Sequence, residues 1–157
     1  MIDELNLVDR WIKPRLDISV GAILMEMNRM RQDPTINPPK RIFVSGKYSG
    51  DSNEEIDKYI CLAESAGIEL LRAGYDVFVP HTMTAHWDDK APDILWGRYI
   101  DMCIRYLKDC DAIAMLPNWH KSPGARLEYE YAKRFEKPIY IYPDMSKPMW
   151  EPFNAQD

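Results

Sequence analysis

Arg41-Ile42-Phe43-Val44-Ser45-Gly46-Lys47-Tyr48-Ser49-Gly50-Asp51-Ser52 decides the fold: a short apolar strand runs into a turn of glycines, serines and a lysine. A helix over residues 53–73 follows, closed by Gly74, and the same alternation continues downstream. Strands are expected at 75–80, 111–116 and 138–142, with helices over 93–108 and behind Ser122. Strands that alternate with helices argue for an α/β fold, a parallel sheet with helices on both faces. Ligands of such sheets bind beyond the carboxyl ends of the strands. The loops at 45–52, 80–87 and 116–122 are therefore expected to form the site.

Upstream of this pattern the composition changes. Residues 16–30 place Val20, Ile23, Leu24, Met27 and Met30 along a wide apolar surface, which needs a partner. The stretch stops at Asp33-Pro34-Thr35-Ile36-Asn37-Pro38-Pro39, a stiff, helix-breaking linker. Residues 1–40 thus read as an N-terminal helical extension and residues 41–157 as the α/β domain. The extension either packs on its own domain or docks on a second subunit.

The chain has 157 residues, 46% hydrophobic and 29% charged, in the range of one soluble globular domain. Its net charge of -5 provides no basic footprint for nucleic acid, so a small molecule is the expected partner. Cys61, Cys103 and Cys110 are scattered in apolar contexts, as expected of reduced core thiols in a cytoplasmic protein. No metal motif, cofactor motif or membrane-spanning run is present, and the acidic start Met1-Ile2-Asp3-Glu4 differs from a signal peptide.

In the first loop, Ser45, Gly46, Lys47, Tyr48, Ser49 and Gly50 precede a helix, where backbone N–H groups favour an anion; a plain turn is the alternative. The spacing lacks the ending of a P-loop, so a nucleoside triphosphate is not indicated. In the second loop, His81 and His86 lack the further ligands of a metal site and suit hydrogen bonding to a heterocycle, with Trp87 to stack it. In the third, Trp119 either stacks a base or covers the edge of the core.

That third loop leads into Ser122-Pro123-Gly124-Ala125-Arg126-Leu127-Glu128-Tyr129-Glu130-Tyr131-Ala132, with Ser122 as N-cap and Pro123 at the first helical position. Leu127, Tyr131 and Phe135 are expected to form the apolar stripe, and Arg126, Glu130 and Arg134 a solvated charge ladder. Glu128 belongs to neither set. It flanks the stripe beside the small residues Ala125 and Ala132, so it is a boundary glutamate, a paired one, or a carboxylate at the rim of a cleft.

Taken together, Ser45-Gly46 at a strand end, Pro80-His81 at the next, Cys110-Asp111-Ala112-Ile113-Ala114-Met115-Leu116-Pro117 and Gly124-Ala125-Arg126-Leu127-Glu128 resemble the nucleoside 2-deoxyribosyltransferase superfamily. That superfamily includes nucleoside 5′-monophosphate N-glycosidases. The resemblance spans residues 41–142 and implies a flavodoxin-like, Rossmann-like fold. It also implies cleavage of the N-glycosidic bond of a (deoxy)nucleoside or its 5′-monophosphate. Glu128 would be the nucleophile, forming a glycosyl-enzyme intermediate that water or another base resolves. The leaving base needs a proton, for which Asp101 is the expected donor.

Asp101 stands ten residues before Asp111, about two more than the family spacing, which turns a helix by ~200°. Arg98 and Arg105 are placed to pair with it. The binding residues implied are Ser45, Gly46, Lys47, Tyr48, Ser49, Gly50, His81, Trp119, Ser122 and Gly124. The serines and Lys47 favour a 5′-monophosphate, and Arg126 either joins the solvated ladder or reaches that phosphate. No cofactor or metal is implied, and a homodimer or higher homo-oligomer is. A non-catalytic nucleotide-binding or sensing protein on the same fold is the alternative.

Overall fold

The computed structural model describes residues 19–32 and 40–150. The chain divides into two units, residues 1–39 and 40–157. In the first, helix α1 spans Val20–Gln32, with Arg29 paired to Glu26. The expected linker at 33–39, the helix start at 16–18 and the acidic N-terminus lie outside the described residues.

The second unit is built on β1 (Arg41–Ser45), β2 (Asp76–Phe78), β3 (Ala112–Met115) and β4 (Ile139–Ile141). All of these strands pair in parallel, in the order β2-β1-β3-β4. This is an α/β fold of the flavodoxin/Rossmann-like kind, as the alternating pattern predicts. The helices of this unit are α2 (Asn53–Arg72), α3 (Pro80–Met83), α4 (Trp87–Lys90), α5 (Trp96–Lys108) and α6 (Pro123–Arg134), with a 3-10 turn at Trp119–Lys121.

Local chemistry sets these boundaries. Ser52 caps α2 by accepting from the Glu55 amide at 3.2 Å, and Glu54 and Glu55 face the positive end of the helix dipole. Gly74 ends the segment at φ 99°, a left-handed conformation that a side chain would resist. The expected strand at 75–80 is shorter, because Pro80 opens α3 at a position where its missing N–H costs nothing.

Successive β1 residues point to opposite faces. Ile42 and Val44 pack with Ala63, Ala66 and Leu70 of α2, while Phe43 packs with Cys103 and Leu107 of α5 and Ala125 and Ala132 of α6. Burial on both faces explains why β1 and β3 are almost uniformly apolar. Cys103 and Cys110 are buried, but Cys61 is exposed on α2, which corrects the expectation of three core thiols. Among the described residues no helix is long and apolar enough to cross a membrane.

The chain leaves β1 toward β2 on one side and returns to β3 on the other. Ser45, paired in register with Met115, therefore stands where the strand order reverses. In this architecture a crevice opens at that point, beyond the carboxyl ends of the strands.

Candidate functional site

A cavity of about 420 Å³ occupies this position, within the range of small-molecule sites. Its lining draws on the ends of three of the strands: Gly46, Tyr48 and Ser49 after β1, Pro80 and His81 after β2, and Ser122, Gly124, Ala125 and Glu128 after β3. Helix α5 contributes Trp96, Tyr99, Ile100 and Cys103.

Glu128 is the chemical centre. Only 6% of its surface is exposed, and the Ser45 hydroxyl donates a hydrogen bond to its Oε2. Burial pushes its pKa from the usual 4.5 up to about 7, against the opposing pull of the Ser45 bond. Beside it, Cys103 is held as the neutral thiol, its pKa pushed up to about 12 by burial and by the Glu128 charge.

The orientation of α6 differs from the expected one. Its buried face is Gly124, Ala125, Glu128 and Ala132, whereas Leu127 and Phe135, expected in the apolar stripe, are 48% and 56% exposed. Tyr131 packs against Phe135 with the rings tilted and their centroids 4.4 Å apart. Small residues let the helix lie close to β3, and bulky ones at those positions would lift it away. Glu128 thus sits in the middle of the packed face instead of at its flank. Arg126, Glu130 and Arg134 are exposed, as the ladder predicts, and Arg126 is outside the cavity lining. Ser122 caps the helix, accepting from the Ala125 amide at 3.2 Å.

Of the expected binding residues, Gly46, Tyr48, Ser49, His81, Ser122 and Gly124 line the cavity with Glu128, and Ser45 reaches it through that carboxylate. Lys47 does not. Its ammonium lies 3.0 Å from Tyr59 Oη and 3.6 Å from Glu55, facing away to α2. Gly50 lies against Glu55, and Trp119 stacks on Tyr129 at 4.7 Å against the core, so neither joins the lining. His86 turns to Asp57, 2.7 Å from Nε2, and is not a cavity residue.

Asp101 is corrected as well. It is half-exposed on α5, 3.2 Å from both Arg98 and Arg105, and outside the cavity lining. The two extra residues rotate it off the face that α5 presents to the site, as the spacing argument implies. That face is Trp96, Tyr99, Ile100 and Cys103, residues the sequence reading missed. Their i, i+3, i+4, i+7 spacing was the available signal. Asp88, also missed, lines the cavity from α4 and accepts from Tyr48 Oη at 3.2 Å. Tyr48 Oη in turn accepts from the His86 amide at 2.8 Å, so α4 is tied to the first loop.

The charged side chains of the lining are Asp88 and Glu128, and neither lysine nor arginine is among them. Among the described residues no cluster of three or more His, Cys, Asp or Glu is arranged to hold a metal ion. A buried carboxylate on the wall of a crevice of this size can act as a nucleophile, a general base or an electrostatic stabiliser.

No curated protein matches this chain. The family described as Domain of unknown function (DUF4406) matches residues 40–141, the whole strand-and-helix framework that carries the cavity, and the chain belongs to that family.

Proposed function

We propose that this protein cleaves the N-glycosidic bond of a nucleoside or nucleotide, with Glu128 as nucleophile. The observation that carries the reading is Glu128 itself: a buried carboxylate on the cavity wall, held by Ser45, in a lining that contains no lysine or arginine. Its oxygen bonds to the anomeric carbon as the C–N bond breaks, the electron pair leaves with the base, and the base takes up a proton. Water then attacks the anomeric carbon, gives up a proton and frees the carboxylate. The resemblance of residues 41–142 to the nucleoside 2-deoxyribosyltransferase superfamily supports the same chemistry.

Asp88 takes over the acid–base role first given to Asp101, being the other carboxylate on the wall and open to solvent. A cavity with two carboxylates and no cation in its lining favours the uncharged nucleoside over the 5′-monophosphate. Completion of the site by a second copy of the chain belongs to the same proposal.

The test is a panel of nucleosides and 5′-monophosphates incubated with the full chain, with free base read by chromatography. Base release that disappears in Glu128→Ala is the expected result, and turnover unchanged in that variant would sink the proposal. The displacement of Asp101 from the cavity favours one second reading, a non-catalytic nucleoside sensor. Tight binding without base release would identify it.

A further inference from the structure

Two buried side-chain polar atoms have no hydrogen-bond partner among the described residues, His81 Nδ1 and Tyr99 Oη. Both residues line the same cavity, from α3 and from α5. A buried polar atom without a partner is costly, and native proteins seldom keep one without a use for it.

The state of His81 follows from its other nitrogen. Nε2 lies 3.2 Å from the Lys47 carbonyl oxygen, which has no proton to give, so Nε2 carries the hydrogen and donates it. Burial lowers the pKa of the ring, more than the Lys47 and Gly46 carbonyls raise it. A neutral ring with hydrogen on Nε2 leaves Nδ1 as a bare acceptor. His81 is only 5% exposed, so its ring is held out of bulk water.

We infer that His81 Nδ1 is a fixed hydrogen-bond acceptor for the bound molecule, so that the site selects a nucleoside presenting an uncharged N–H or O–H donor at that point. The inference rests on the nucleoside reading of the cavity. The donor is either an exocyclic amino group of the base or a sugar hydroxyl. A ligand with a carbonyl or ether oxygen there sets two lone pairs against each other and is rejected. Tyr99 Oη, which both donates and accepts, adds a contact without that selectivity.

The experiment uses the full chain carrying Glu128→Gln, so that binding is measured without turnover. It titrates adenosine, purine riboside (which lacks the 6-amino group), and 2′-deoxy- and 3′-deoxyadenosine by calorimetry. Removal of one donor group is expected to weaken binding about tenfold or more, the size of leaving a buried acceptor unpaired. The same removal should cost His81→Phe little. His81→Asn, whose Oδ1 replaces the Nδ1 acceptor, should keep the discrimination, and His81→Leu, which also lacks the acceptor, serves if the Phe variant does not fold. Equal sensitivity to every donor removal in the parent and in His81→Phe would overturn the acceptor role while leaving the nucleoside reading intact. Absence of binding by all four ligands would overturn that reading, and the inference with it.

Discussion

Replacing Glu128 by glutamine tests the central feature without reference to any substrate. The folded protein holds the Glu128 carboxyl at a pKa of about 7 against 4.5 for the free group, because the charged form loses its water on burial. Folding therefore favours the protonated acid. The stability this contributes is present in full below the unfolded pKa, is lost as pH rises, and is gone above the folded pKa. With 1.36 kcal/mol per pKa unit, the loss from pH 4 to pH 8 is about 3 kcal/mol.

Glutamine keeps the shape and the acceptor for Ser45 but never ionises. The stability of Glu128→Gln relative to the parent should thus grow by ~3 kcal/mol over that range, or ~6–12 °C in melting temperature for a chain of this size. Taking the difference between the two proteins cancels the other groups that titrate with folding, among them His81, Glu55 and Asp144. Cys103, the titratable neighbour of Glu128, stays protonated throughout. The assay is thermal or urea unfolding of both proteins at pH 4, 5, 6, 7 and 8. A melting difference independent of pH would refute the reasoning, since it would mean that Glu128 ionises as freely in the folded protein as in the unfolded chain.

Ser45→Ala removes the hydroxyl that steadies the Glu128 charge, so the pKa of Glu128 should rise further and the acid limb of the kcat/KM profile should move to higher pH; an unmoved limb counts against the link. Gly46→Ala would put a Cβ 2.6 Å from Leu116 Cδ1 and 2.9 Å from its Cβ, beside a fully buried side chain, and should cost ~1–3 kcal/mol by denaturant titration. Ser122→Ala deletes the cap of α6 and should cost about 1 kcal/mol, read as a lower urea midpoint with an unchanged slope. Asp101→Asn should leave base release unchanged, and Asp88→Asn should lower it, both measured in the chromatographic assay.

The sheet was legible because its information is local. Short apolar runs followed by glycine, and helices with recognisable starts, place each strand within one or two residues; β2 is cut short only because Pro80 prefers a helix start. Ser45 and Glu128 were legible as candidates from their positions at a strand end and beside small residues. What the sequence could not convey was direction across space. Lys47 and Trp119 sit in the right loops and point to other partners, Tyr59 and Tyr129. The packed face of α6 was misjudged because Leu127, Tyr131 and Phe135 outweigh alanines on any hydrophobic scale, while the space next to β3 admits only the alanines. The α5 wall was not legible because an apolar stripe such as Trp96, Tyr99, Ile100 and Cys103 reads the same whether it faces a core or a cavity.

The hydrogen bond between Ser45 and Glu128 joins residues 83 positions apart. It cannot form until β3 has crossed to β1 and α6 has docked on the sheet, so nearly the whole α/β unit must be in place first. Contacts of such long range are among the last to repay the entropy of closing their loop. The carboxylate is therefore set for chemistry only in the finished fold, and partly folded chains, however compact, carry Glu128 without its hydroxyl, its burial or its raised pKa. Recovery of the Glu128 titration during refolding would mark completion of the domain rather than its collapse.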